Sequence, residues 1–444
     1  PSEALVTTPE VPRTASTLST NPTQRSRNLI RTAAGIEPYT GQWNKKVAAH
    51  LLRRTIFGPT RNEVAYAASR SLDDTPATLF VDQPQPSPPI DPTTGQTWVN
   101  STYDGNNDGR YIGYLKAWWL VLMVTQEISI RERMVLFWHN HFVSEYAYVQ
   151  DSRYMYFQNA LFRQYALGNI KELVKVVTID PAMLRYLNGN TNVRGRVQEN
   201  YARELQELFT IGKGPQIAEG NYTNYTEQDV QATARVLTGW RDVRSAAPPH
   251  SEFVSANHDT TDKTFSAAYQ NTTIRGGGTA ADGPRELNEL IEMIFRQEET
   301  AKFLCRKLYR WFVYYDIDQT VEENVIVPLA AIMRDNNYEV KPVLNALLRS
   351  AHFFDDNNIG CQIKSPIDLV VGAFCQLEMA PNPPTIPSST YYSLMSSLRS
   401  TGSTLQMNLM DPPNVAGWAA YYQIPDFYEL WISTATLPAR GQYI

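Results

Sequence analysis

From Trp43 to near the C-terminus, apolar residues recur at three- and four-residue intervals, and few stretches alternate in the manner of a strand. That period allows one buried stripe per helix, so the chain must stack helices against helices. The most apolar block runs from Tyr111 to Phe142, with Trp118, Trp119, Leu122, Met134, Phe137 and Trp138. A break near Thr125 to Ser129 divides it into two packed helices. His50, Leu51, Leu52 and Phe57 form a helix that stops before Gly58-Pro59, and Thr60 caps the next one. Further helices are expected near 152–167, 169–178, 199–212, 226–240, 284–297, 299–315, 319–335, 340–350 and 364–379. Two long polar segments interrupt them, a Pro-, Asn- and Gly-rich surface excursion at 82–108 and an insert at 241–283. Within the insert, Phe253 to Phe265 alternates weakly, as in a hairpin turning at Asp259-Thr260-Thr261-Asp262. The expected fold is mainly α, a large multi-helix single globular domain at 43–444 with long polar loop insertions and at most a small β-hairpin. Residues 1–42 form an extended segment. Its first 28 residues or so are rich in Ser, Thr and Pro and lack aromatics, so they bury too little apolar area to offset ordering unless they lie along the body or a partner.

With 43% hydrophobic and 11% aromatic residues, the chain has ample material for a core. A net charge of −5 gives no electrostatic reason to expect nucleic acid as a partner, because phosphate binding needs a concentrated basic surface. Short basic runs such as Arg131 with Arg133, or Arg194 with Arg196, are interleaved with acids and read as solvated helix faces. No stretch approaches the ~20 apolar residues of a membrane-spanning helix. Cys305, in an apolar run, reads as a buried thiol; Cys361 and Cys375 are compatible with one disulfide in an exported chain but do not require it.

Four clusters place polar groups in apolar surroundings, where solvation is costly to lose. In Phe137-Trp138-His139-Asn140-His141-Phe142, the two histidines of a helix point about 200° apart and cannot share an ion. His141, one turn from Phe137 and Trp138, is taken as the inward one, either a ligand or a hydrogen-bonded core histidine. In Glu199 to Leu208, Asn200, Arg203, Glu204 and Glu207 share one stripe, and Leu205, Leu208 and Phe209 another. Carboxylates three apart chelate a cation or divide acid and base roles, while Arg203 with Glu199 or Glu207 equally makes an ordinary ion pair. Asn257-His258-Asp259 is either a ligand or base pair on a loop, or plain turn chemistry. Asp411-Pro412-Pro413-Asn414-Val415-Ala416-Gly417-Trp418 is a rigid loop presenting Asp411 and Asn414, which lines a pocket or closes the core. Nucleophile-elbow, zinc-protease, phosphate-loop and EF-hand patterns are absent.

In order along the chain, these stretches resemble the bacterial domain of unknown function 1800 family. The matching residues are His50 to Arg54, Phe57-Gly58-Pro59-Thr60, Arg131 to Phe142, Asp180 to Leu184 and Glu199 to Thr210. Tyr225 to Val230, Thr238-Gly239-Trp240, His258-Asp259 with Lys263-Thr264, and Pro412 to Trp418 complete the set. Gln198 departs from the pattern, where asparagine is expected. The resemblance implies an exported protein of the periplasm, cell surface or medium, often encoded beside a sulfatase-like protein, which is thereby a candidate partner. It implies no reaction and no catalytic residues.

Two functions follow from the residues. The first is a metal-assisted hydrolase of extracellular or cell-envelope polymers. A divalent metal would be held by His141, Glu204, His258 and Asp259, with Glu204 and Glu207 as acid and base and Arg203 orienting a carboxylate or binding an anionic substrate group. The second is a non-catalytic scaffold in a cell-surface or secretion-associated complex, whose polar clusters only specify packing. Sugar stacking on Trp and Tyr is a third, though helical spacing assigns most of these rings to the core.

Overall fold

The computed structural model describes residues 33–379, 388–418, 422–423, 426–427 and 431–444. Asn44 opens the helical body by accepting from the backbone N–H groups of Lys46 and Val47, which starts the helix Lys45–Thr55. Thr60 and Glu63 then exchange a reciprocal capping box at the head of Arg61–Ala68. Gly58 separates the two at φ +65°, and a Cβ there would lie 2.2 Å from the carbonyl oxygen of Gly372. The breaker is therefore also a close-packing contact with the helix Pro366–Gln376.

The apolar block divides as its sequence predicts, into Asp108–Thr125 and Arg131–His141. These pack with the helix Ser152–Gln164 around a buried ion pair in which Arg163 grips Glu132 at 2.7 and 2.8 Å. Trp119 Nε1 donates to the same carboxylate at 3.0 Å, so the pair's remaining lone pairs are satisfied. One contiguous cluster of buried apolar side chains runs from Val47 to Trp431. The fold is mainly α. Strand is confined, among the described residues, to four two-stranded antiparallel pairs.

Two of those pairs lie in the polar insert and correct its expected hairpin. Trp240–Val243 pairs with His250–Phe253, and Lys263–Thr264 with Thr273–Ile274. The stretch Asp259–Asp262 joins these hairpins instead of turning one, because Asp259 and Thr261 are tied sideways to Arg235. The 82–108 segment is no free excursion either. Its Trp98 is buried, stacks on Tyr111 at 4.6 Å and donates to Ser152 Oγ.

Residues 1–32 of the expected N-terminal segment lie outside the described residues. The segment's end is extended against the body, with Tyr39 N–H donating to Arg349 O and Glu37 O accepting from Ala351 N–H. No described helix is long and apolar enough to cross a membrane. Cys305 is buried, as expected. Cys361 and Cys375 are not bridged; their sulfurs lie against the carbonyls of Asn358 and Val124.

Candidate functional site: an aromatic, cationic cleft

Arg133, Phe137 and His141 stand four residues apart on Arg131–His141 and so share one face. That face forms one wall of a cleft of about 360 Å³, within the range of small-molecule sites. Phe137 and His141 stack with ring centroids 5.9 Å apart. His141 Nε2 lies 2.9 Å from the carbonyl oxygen of Phe209. A carbonyl only accepts, so Nε2 carries the proton and Nδ1 presents a bare lone pair. Burial, helped by the charge of Lys307, pushes the His141 pKa down to about 3, and the ring is neutral at physiological pH.

The Phe209 carbonyl is in place because the helix Asn200–Glu204 widens into a π-helix over Leu205–Thr210. In that stretch Ile211 N–H donates back to Gln206 O rather than to Glu207 O. The same turn brings Leu208 to the cleft.

The helix Glu298–Phe312 forms the second wall with Lys307, Arg310 and Trp311. Lys307 Nζ lies 5.2 Å from the Phe303 ring centroid and makes no hydrogen bond or ion pair among the described residues. Burial and the neighbouring Arg310 charge push its pKa down to about 8. Arg133 sits between the rings of Phe57 and Trp311, 5.5 and 5.1 Å from their centroids, and pairs with Asp368. Ser365 Oγ donates to that carboxylate at 2.9 Å. Arg133, Lys307 and Arg310 thus line the cleft together with Asp368, whose carboxylate pairs with Arg133.

The 411–418 loop supplies the rim. Asn140 Oδ1 accepts from Trp418 N–H at 2.7 Å, which places the indole over the cleft and 5.6 Å from the His139 ring. Gly417 makes that approach at φ +82°, and a Cβ would come within 2.5 Å of Asn140 O. Trp431, Tyr314 and Tyr315 complete an aromatic lining.

Of the residues singled out in the sequence, His141 and Trp418 meet here. His139 faces elsewhere, its Nε2 accepting from Met410 N–H. Asp411 is held by Lys116 Nζ at 2.6 Å and Ala147 N–H at 3.0 Å, and Asn414 caps its own turn through Ala416 N–H. Both are structural supports of the loop. Arg203 forms a bidentate pair with Glu227 and reaches Glu199, the ordinary ion pair of the two alternatives. Glu207 accepts from Tyr225 Oη and pairs with Lys213. Glu204 is different, since its buried Oε2 has no hydrogen-bond partner. Burial and the charge of Glu207 push its carboxyl up to about 7.

The expected metal site is not assembled. No group of three or more His, Cys, Asp or Glu among the described residues is placed to hold an ion. His258 is fully buried against Glu286 at 3.1 Å, and its Nδ1 donates to Thr238 O. Asp259 is held by Arg235 at 2.8 Å and by Thr261, which keeps its carboxyl well below the usual range. His141 and the His258-Asp259 pair are thereby committed to separate local networks, while Glu204 keeps its Oε2 unpartnered.

Sequence reasoning missed Lys307, Arg310, Trp311 and Asp368, and misjudged Arg133. That arginine is 4% exposed, not solvated, while Arg131 binds the carbonyls of Gln83 and Pro84. The available signal was a lysine inside the apolar run Phe303 to Leu308, one helical turn from Phe303.

Stretches 131–142, 199–210 and 412–418, distant in the chain, build or support this one cleft. No curated protein and no solved structure matches the sequence. A family model described as "Protein of unknown function (DUF1800)" matches residues 50–444. With nearly the whole folded body inside that match, the chain belongs to the DUF1800 family.

Proposed function

We propose that the protein recognises an anionic, ring-bearing ligand in the cleft between Arg131–His141 and Glu298–Phe312, an acid-bearing saccharide of extracellular or cell-envelope polymers being the best fit. The observation that carries this reading is Lys307, an amine without a counter-ion among the described residues, in a cleft lined by Phe137, Trp311, Trp418 and Trp431. A cation on apolar walls is worth more to an anion than the same cation in water, and flat aromatic faces suit a ring. The neutral His141 adds an acceptor, Nδ1, for a ligand hydroxyl. Export to the periplasm, cell surface or medium, which the family resemblance implies, would put the cleft in reach of such polymers.

The test is a tryptophan-fluorescence titration with glucuronate oligosaccharides against neutral glucose oligomers. Preference for the acidic series, weakened by salt, is expected. Lys307→Met should weaken binding by about 10- to 100-fold, the ~1.5–3 kcal/mol typical of a charge-assisted hydrogen bond. Equal binding of both series would overturn the reading.

A second reading, hydrolysis, is favoured by Glu204, which does not line the cleft but whose unpartnered oxygen and carboxyl near 7 suit a proton donor. Release of reducing ends, abolished in Glu204→Gln, would support it; tight binding without turnover would leave a recognition or scaffold role, in which a stoichiometric envelope partner should co-purify.

A further inference from the structure

Lys307 differs from an ordinary anion-binding lysine in three respects. Its ammonium has no hydrogen bond or ion pair among the described residues. It stands one turn from a second cation, Arg310, on the same helix face. It also shares the cleft with His141, whose bare Nδ1 accepts a hydrogen bond without adding positive charge. An amine desolvated on an apolar wall beside another cation is held partly neutral, the condition that makes a lysine nucleophilic. The lowering of its pKa to about 8 agrees with that geometry.

We infer that Lys307 forms a reversible imine with an oxo acid, a ligand bearing both an anionic group and an aldehyde or ketone. The neutral Nζ attacks the carbonyl carbon, and the carbonyl π pair moves to oxygen, which takes a proton. The carbinolamine then loses its hydroxyl as water while the nitrogen lone pair closes the C=N bond. Counted from the ammonium, R–NH3+ and O=C give R–NH+=C and one water, with no oxidation or reduction. Charge is conserved at Nζ, so the cleft keeps its attraction for the acid group, and Arg310 and Arg133 remain as its cationic surroundings. His141, which lines the same cleft and keeps Nδ1 as an acceptor, would take a hydrogen bond from the carbinolamine hydroxyl, which makes it a positioning residue. This inference rests on the reading of the cleft as an anion site and adds the carbonyl to its ligand.

The experiment uses the full chain with glyoxylate and cyanoborohydride near neutral pH, and mandelate as a ring-bearing acid that has no carbonyl to react. Expected is a mass gain of one carboxymethyl group, mapped to Lys307 by peptide mass spectrometry, with mandelate slowing the labelling. Lys307→Arg keeps a cation in the cleft but has no nucleophilic amine, so it should lose the adduct; mandelate binding to the parent chain is followed by tryptophan fluorescence. His141→Gln should slow trapping several-fold and also weaken mandelate, which offers its own hydroxyl to Nδ1. Labelling spread over surface lysines, with Lys307 no faster than the rest, overturns the imine while mandelate binding keeps the anion site. Failure of mandelate to bind overturns both.

Discussion

At the scale of single residues, the cleft depends on backbone as much as on side chains. Gly417 holds a left-handed conformation and leaves no room for a Cβ beside Asn140 O. Gly417→Ala should therefore cost about 1–3 kcal/mol, the usual range for a strained φ. The urea midpoint would report the loss. Because Trp418 N–H bonds Asn140 Oδ1, the same variant should also displace the indole from the rim, visible as a shift in tryptophan emission. An unchanged midpoint and spectrum would show that the loop relaxes freely. The histidines make a related point. His139 and His141 have both been pushed down to about 3 by burial, yet only His141 opens onto the cleft. Helical spacing took His141 as the single inward histidine, whereas both rings are buried and differ in which one meets the cleft. The bond that frees the His141 Nδ1 comes from Phe209, 68 residues on, and no local pattern encodes it.

At the scale of elements, the widened turn over Leu205–Thr210 matters most. A helix was legible across 199–212, since its two stripes are plain in the sequence. The π register was not, because i→i+4 and i→i+5 bonding differ by a tertiary fit. Glu204 lies at the junction, and its raised carboxyl gives a test with a definite sign. In the folded chain it titrates near 7, and in the unfolded chain near its ordinary 4.5. Between those values the folded state holds a proton that the unfolded state does not, so the Glu204 contribution to stability falls as pH rises through this window. Glu204→Gln removes that loss. Relative to the parent chain, the variant should gain stability on going from pH about 4.5 to above 7. Paired urea curves at the two ends decide it; a constant difference between variant and parent would mean Glu204 is charged and solvated in both states.

At the scale of the whole molecule, the polar insert is tied to the body by a buried network. Lys263 Nζ lies 2.5 Å from Glu286 Oε2, His258 Nε2 lies 3.1 Å from Oε1, and all three side chains are fully buried. Glu286 belongs to the helix Asp282–Phe295, so this network fastens the insert to the helical core. Glu286→Ala would leave the Lys263 charge buried without its partner, at a cost of about 3–5 kcal/mol. The double variant Lys263→Met/Glu286→Leu should recover much of that stability. Urea unfolding of the single and double variants, with hydrogen exchange over 254–278, would separate loss of the pair from loss of packing. Equal destabilisation in both would assign the effect to shape alone.

By itself, the sequence determined the helical architecture, because a 3.6-residue apolar period, well-placed caps at Asn44, Thr60 and Ser365, and the breaker at Gly58-Pro59 act over a few residues. It also determined family membership. The meeting of residues was decided only in the tertiary structure. Lys307, Asp368 and Trp418 come to Arg133 and His141 from far along the chain. Conversely, His258 and Asp259, which looked like ligands beside a turn, are closed off by Glu286 and Arg235. Spacing records which side chains share a helix face. It carries no record of which faces are then pressed together, and a site made from several helices exists only after that packing.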